Sequence, residues 1–120
     1  MAKNLEISDL LDFYGSMLTE KQREVIEYYY NDDLSLSEIA ENEGITRQGV
    51  RDSIKRAEGQ LLDMEQRLGH ARRFHEMETG LEQIGQEAER IRACNDRYRY
   101  AKEIGDSAGR ILDISRKLCD

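Results

Sequence analysis

Apolar residues recur at three- and four-residue steps along most of this chain, the spacing of amphipathic helices. Leu10, Leu11, Phe13, Tyr14, Met17 and Leu18 give a first helix over about residues 8–18 a broad apolar face. Thr19 with Gln22 forms a Thr-x-x-Gln capping box that opens a second helix. Val25, Ile26 and Tyr29 make its inward stripe, and Asn31-Asp32-Asp33 is a turn cluster that should stop it near Tyr30. Ser35 with Glu38 repeats the box and opens a third helix, with Ile39 and Ala40 inward. Gly44 supplies the left-handed backbone of a tight turn, and Ile45 is expected to plug the core between helices. Thr46 then caps a fourth helix that carries Val50, Ile54, Ala57 and Leu61 inward.

Beyond Leu61 the pattern stays helical but becomes simpler. Met64, Leu68 and Ala71 continue one stripe; Leu81, Ile84, Ala88, Ile91 and Tyr98 form another, followed by Ala108, Ile111 and Leu118. The alternation of three and four is that of a coiled coil. Thr79-Gly80 is the expected break, and Gly105 and Gly109 weaken the last stretch by about 1 kcal/mol each relative to Ala. Wholly helical, these last 60 residues would reach roughly 90 Å, too long for a lone rod. A fold-back hairpin or helix exchange with a second subunit is therefore expected.

Composition sharpens this picture. The chain has 120 residues, no Pro, no Trp and 36% charged residues, which favours helix and suits one domain with an appendage. Only 38% of residues are hydrophobic, so part of the chain is expected to find its apolar partner in a homodimer. The net charge of −7 is uneven: residues 1–60 hold 7 basic and 13 acidic groups, and residues 61–120 hold 11 and 12. Proteins that coat nucleic acid carry a basic excess, so here any contact with phosphate has to come from a local basic face. Cys94 and Cys119 lack metal-ligand spacing, and Cys94 reads as a small buried residue. Free thiols, no apolar amino-terminal core and no run near 18 apolar residues point to the cytoplasm without a membrane span.

Residues 18–62 carry the strongest signal. Small Ala40 where two helices cross, Gly44 at the turn, and Ile39, Ile45, Val50 and Ile54 at matching apolar sites form a helix-turn-helix core. The stretches LTEKQREVIEYYY, LSLSEIAE and GITRQGVRDSIKRAEGQL resemble region 4 of bacterial sigma factors. The resemblance is closer to the YlxM family, small proteins linked to the signal recognition particle, over about residues 5–70. The Leu11-Asp12-Phe13-Tyr14 start and the Tyr28-Tyr29-Tyr30-Asn31-Asp32-Asp33 turn separate it from ordinary sigma fragments. The resemblance implies an all-α fold, a sigma-region-4-like domain and a regulatory role beside the particle's GTPase and RNA.

The fourth helix displays Arg47, Gln48, Arg51, Lys55 and Arg56. In a helix-turn-helix the first residues of this helix enter the major groove, so Arg47, Gln48 and Arg51 would read bases or phosphates, with Lys55 and Arg56 on the backbone. The competing reading is a solvated face that pairs with Asp52 and Glu58. A second concentration, Arg90, Arg92, Arg97, Arg99 and Lys102 with Tyr98 and Tyr100, suits RNA but is diluted by Glu87, Glu89, Asp96 and Glu103. Tyr28, Tyr29 and Tyr30 offer a docking surface for a partner; the competing reading puts Tyr29 in the core with Tyr28 and Tyr30 flanking it. His70 and His75 do not share a helix face as metal ligands would, so no metal site is expected. No phosphate-cradling glycine loop or nucleophile motif is present, so neither an enzyme nor a cofactor is expected.

The sequence thus predicts an all-α protein: residues 1–66 as the sigma-region-4-like helix-turn-helix domain, and 67–120 as long amphipathic helices for dimerisation or fold-back. The expected partner is the signal recognition particle's RNA or GTPase. The alternative is duplex DNA, bound by a transcriptional regulator through the same helix. A third reading makes the helix-turn-helix a scaffold for protein contacts alone.

Overall fold

The computed structural model describes residues 2–119, and among them the secondary structure is entirely helical. In chain order the helices are α1 (Leu5–Tyr14), α2 (Glu20–Tyr30), α3 (Leu36–Glu43), α4 (Arg47–Leu68), α5 (His70–Tyr98) and α6 (Lys102–Cys119). A 3-10 turn, Gly15–Met17, follows α1. The chain divides into two compact units, Met1–Ala71 and Arg72–Asp120. No helix among the described residues is long and apolar enough to cross a membrane.

Local chemistry sets the boundaries of the first unit. Asn4 starts α1 earlier than Ser8, because its side chain accepts from the Glu6 amide at 3.0 Å. The helix also stops earlier, at Tyr14, leaving Met17 in the 3-10 turn and 61% exposed. Both predicted capping boxes form: Thr19 with Gln22, and Ser35 with Glu38. Gly44 closes α3 at φ 67°, and Thr46 caps α4 by accepting from the Gly49 amide. Ser35→Ala should cost about 1 kcal/mol of stability. Urea unfolding of the variant should show that loss with an unchanged m-value.

One helix organises the core. α4 packs against α1, α2 and α3, and its buried residues run along a single stripe. Val50 and Ile54 join Val25, Tyr29, Ile39 and Ala40 under α2 and α3. Ala57 and Leu61, further along, join Ile7, Leu10, Leu11, Tyr14, Leu18, Ile26 and Ala71 under α1. Ile45 departs from expectation: it is 43% exposed and lies over Gly49, not between helices. It directly follows the left-handed Gly44, so the turn directs it along the start of α4 and away from the core.

Two polar networks tie distant segments of this unit. The buried Tyr14 hydroxyl donates to Glu65 at 2.7 Å and accepts from the His70 amide at 3.0 Å. The Glu65 carboxylate also accepts from the Ala71 amide at 3.1 Å, so it fixes the Gly69 turn between α4 and α5. Burial, reinforced by the Glu65 carboxylate, raises the Tyr14 pKa. Tyr30 likewise donates to Glu58 at 2.7 Å, and burial pushes its pKa up to about 12. Both hydroxyls are therefore donors at neutral pH.

In the second unit the chain folds back on itself. Gly85 of α5 faces Leu112 and Ser115 of α6, and Cys119 Sγ lies 3.8 Å from the Glu78 carbonyl, so the two helices run antiparallel. The break is not at Thr79-Gly80, which lies inside α5. The Thr79 hydroxyl donates to the His75 carbonyl at 3.0 Å, and a single glycine costs a packed helix only about 1 kcal/mol. The chain turns instead at residues 99–101. Arg99 takes the left-handed conformation at φ 53°, and the Asn95 side chain accepts from the Ala101 amide at 3.0 Å. Cys94, expected inside, is exposed, because the interior of the hairpin is taken by Gly85, Ala88, Asn95, Ala108, Leu112 and Ser115.

Candidate nucleic-acid interface

The helix-turn-helix places α4 as its second helix, with its first turn at the surface. Arg47, Gln48, Arg51, Lys55 and Arg56 are all exposed. Arg47, Arg51 and Lys55 follow one another at four-residue steps, forming a continuous row beside the buried stripe. Arg56 is about 100° around the helix from Lys55, so it does not extend that row. Ile39, Ala40, Val50 and Ile54 hold the row from beneath, all buried.

The acids beside the row bond to neutral donors or to a cation elsewhere, and none of them forms an ion pair with it. Asp52 accepts from the Gln48 side chain at 2.9 Å. Glu58 accepts from Tyr30. Glu43, at the end of α3, has a nearly buried side chain and an ion pair with Lys21 at 2.5 Å. This contact raises the Lys21 pKa through its hydrogen bond and charge. Among the described residues, Arg47, Arg51, Lys55 and Arg56 have no ion-pair partner. Gln48, in contrast, is a donor already in use, so reading a base edge would require it to leave Asp52.

The other sites anticipated from sequence fare differently. Arg90 pairs with Glu87 and Arg92 with Glu89, so acids share this surface with both arginines. Tyr98 and Tyr100 are exposed with ring centroids 5.7 Å apart, and Arg97 lies over the Tyr98 ring at 5.9 Å. Tyr29 is buried as expected; Tyr30 is held by Glu58 and the Asn4 amide and is part of the fold more than a docking surface. His70 stacks on Tyr14 with centroids 6.0 Å apart, and His75 meets Glu78 at 3.2 Å. No group of acids, histidines and cysteines among the described residues is arranged to hold a metal ion.

Sequence reasoning missed the Lys21–Glu43 and Tyr30–Glu58 contacts. Neither has a local signal, because each joins residues more than twenty positions apart. The arrangement that remains is a helix end with a row of cations that form no ion pair among the described residues. That geometry fits phosphate along a groove.

Comparisons with known proteins agree with this architecture. Residues 1–99 match the family UPF0122, described as "Putative helix-turn-helix protein, YlxM / p13 like". A UPF0122 protein of Thermoanaerobacter sp. (strain X514) is 49% identical over 106 residues, covering 88% of this chain and 91% of the relative. One from Shouchella clausii is 42% identical over 96 residues, covering 78% and 88%. One from Halalkalibacterium halodurans is 45% identical over 82 residues, covering 68% and 75%. With its capped second helix, left-handed glycine turn and family match over most of its length, the chain belongs to the UPF0122 family of YlxM / p13-like helix-turn-helix proteins.

Proposed function

We propose that this protein is a non-enzymatic regulatory accessory of the signal recognition particle pathway, acting in the cytoplasm as a homodimer. It docks on the particle's RNA, its GTPase, or both, through the helix-turn-helix domain. The observation that carries this reading is the row of Arg47, Arg51 and Lys55, exposed and without ion-pair partners on an otherwise acidic body. Such a row engages phosphate, while a net charge of −7 keeps the chain off bulk nucleic acid. The link to the particle itself comes from the YlxM resemblance.

A second reading is favoured by the helix-turn-helix geometry: a transcriptional regulator that places α4 in the major groove of DNA. It requires two such helices about 34 Å apart, one turn of the duplex. It also requires that Arg47→Ala or Arg51→Ala change sequence preference as well as affinity.

A paired titration separates the two. The purified protein is mixed with reconstituted particle, with its RNA and its GTPase separately, and with mixed genomic duplex DNA, all at near-physiological salt. Binding to the particle with weak DNA binding is expected. Absence of any particle binding ends the accessory reading, and sequence-selective DNA binding without it establishes the regulator.

A further inference from the structure

The stretch 97–102, at the tip of the α5–α6 hairpin, reads Arg-Tyr-Arg-Tyr-Ala-Lys: three cations and two tyrosines with no acid among them, in a chain of net charge −7. Its backbone is pinned from beneath. Asn95, 7% exposed, accepts from the Ala101 amide at 3.0 Å through its side chain and from the Arg99 amide at 2.6 Å through its carbonyl. A β-carbon on Gly105 would come within 3.1 Å of the Asn95 side-chain nitrogen, so α6 packs closely against the same residue. With Arg99 at φ 53°, the chain reverses and brings Tyr100 back beside Tyr98.

Both rings lie at the surface. Tyr98 is 57% and Tyr100 68% exposed, so neither fills the interior of the hairpin. Their planes are 32° from parallel, and the Arg97 guanidinium lies over the Tyr98 ring. Tyr100 carries no such cation and is the more open of the two. The turn at Arg99 holds the tyrosines side by side before any ligand arrives, which lowers the ordering cost of binding. A flat ring placed on this platform stacks on an aromatic face already in position, as unpaired bases do on tyrosine.

Charge alone would not hold a strand here. Arg97, Arg99 and Lys102 have no ion-pair partner among the described residues. Asp96 and Glu103 flank them, however, so the tip sets three cations against two acids. Asp96 shares a shallow depression with Arg99 and Lys102 and offsets them there. It lies about 160° around α5 from Tyr98, which leaves Arg97 as the cation at the rings. Stacking therefore has to supply most of the affinity, with one phosphate met by Arg97. That combination suits an unpaired nucleotide, which needs one ring face and one cation. A duplex keeps its bases stacked inside and offers none to Tyr100. A protein partner needs roughly 800 Å² per side, more than the end of two helices about 10 Å across provides.

We propose that the hairpin tip binds unpaired nucleotides of a single strand, one base stacking on Tyr100 beside Tyr98 and its phosphate meeting Arg97. This site is separate from the α4 row and does not depend on it. The full chain is titrated at low salt with short fluorescein-labelled oligouridine, with oligothymidine and with duplex RNA, and anisotropy is read. Tyr100→Leu should weaken oligouridine binding about tenfold without changing its salt dependence, whereas Tyr100→Phe should bind as the wild type does. Arg97→Ala should lower the slope of log K against log salt by about 0.7. Tyr100 and Arg97 are exposed, so far-UV helicity should be unchanged in all three variants. The chain carrying Arg47→Ala, Arg51→Ala and Lys55→Ala should lose duplex RNA and keep oligouridine. Oligouridine bound in preference to oligothymidine supports the site as one for RNA, and equal binding supports it for any single strand. Failure of the wild type to bind either oligonucleotide, or binding that Tyr100→Leu leaves intact, overturns the tip site and leaves the α4 row standing. Loss of oligouridine in the triple basic variant overturns it too, because the strand then lies on α4. A contact with the RNA-free GTPase that Tyr100→Leu abolishes, without oligonucleotide binding, makes the tip a protein contact and equally overturns the proposal.

Discussion

Replacing Arg47, Arg51 and Lys55 together with alanine is expected to weaken binding to the signal recognition particle RNA about 100-fold at near-physiological salt. The three side chains occupy one row on α4, none has an ion-pair partner among the described residues, and none supports the core. Losing them should therefore leave thermal unfolding within about 0.5 kcal/mol of the wild type. The loss should also change how binding responds to salt. Each phosphate contact removed lowers the slope of log K against log salt by about 0.7 to 0.9, so three contacts should lower it by more than two. Arg56→Ala, a quarter turn away from Lys55, should have a much smaller effect. Asp52→Asn should strengthen binding, because it removes the one carboxylate in that helix turn. An unchanged affinity and slope in the triple variant would take α4 out of the interface. The helix-turn-helix would then be a scaffold for contacts made elsewhere.

The fold of the first unit is legible in the sequence wherever its determinants are local. The capping boxes at Thr19 and Ser35 involve four residues each, and Gly44 is required by a single backbone angle. The stripe Val50, Ile54, Ala57 and Leu61 is equally legible, because a helix converts spacing into a face. Long-range chemistry is not legible in this way. Tyr14 and Glu65 are 51 positions apart, and nothing near either one announces the other. The same holds for the turn between α5 and α6. Thr79-Gly80 has the composition of a break, but the chain breaks where Asn95 caps the Ala101 amide, with Arg99 held in a left-handed angle. The candidate interface divides along the same line. Its cations can be named from sequence, but whether Asp52 and Glu58 pair with them depends on Gln48 and on the distant Tyr30. Ile45 shows the limit of pattern reading: an apolar residue after a glycine turn has two directions to go, and the backbone angle at Gly44 decides.

Ile54→Ala should cost about 3 to 4 kcal/mol, more than any capping substitution. Ile54 is fully buried among Val25, Tyr29, Ile39, Ala40 and Val50, where α2, α3 and α4 converge. Removing its three outer carbons opens a cavity that cannot easily close, because α4 is held on both sides: Val50 lies one turn before, and Ala57 and Leu61 follow in the neighbouring cluster. The whole domain is stabilised by only about 5 to 15 kcal/mol, so this one change would use a large share of it. Ile54→Val should cost only about 1 kcal/mol, since a single methylene leaves a far smaller void. Urea titration at fixed protein concentration is the appropriate measurement, because the proposed homodimer would make apparent stability depend on concentration. The residue also lies directly beneath the row of Arg51 and Lys55, so its loss should lower nucleic-acid affinity only to the extent that the domain unfolds. Affinity should recover on adding a stabilising osmolyte, which the triple basic variant cannot do. A cost under about 1 kcal/mol for Ile54→Ala would mean that the site collapses freely, and that the seat of the α4 row is looser than its packing implies.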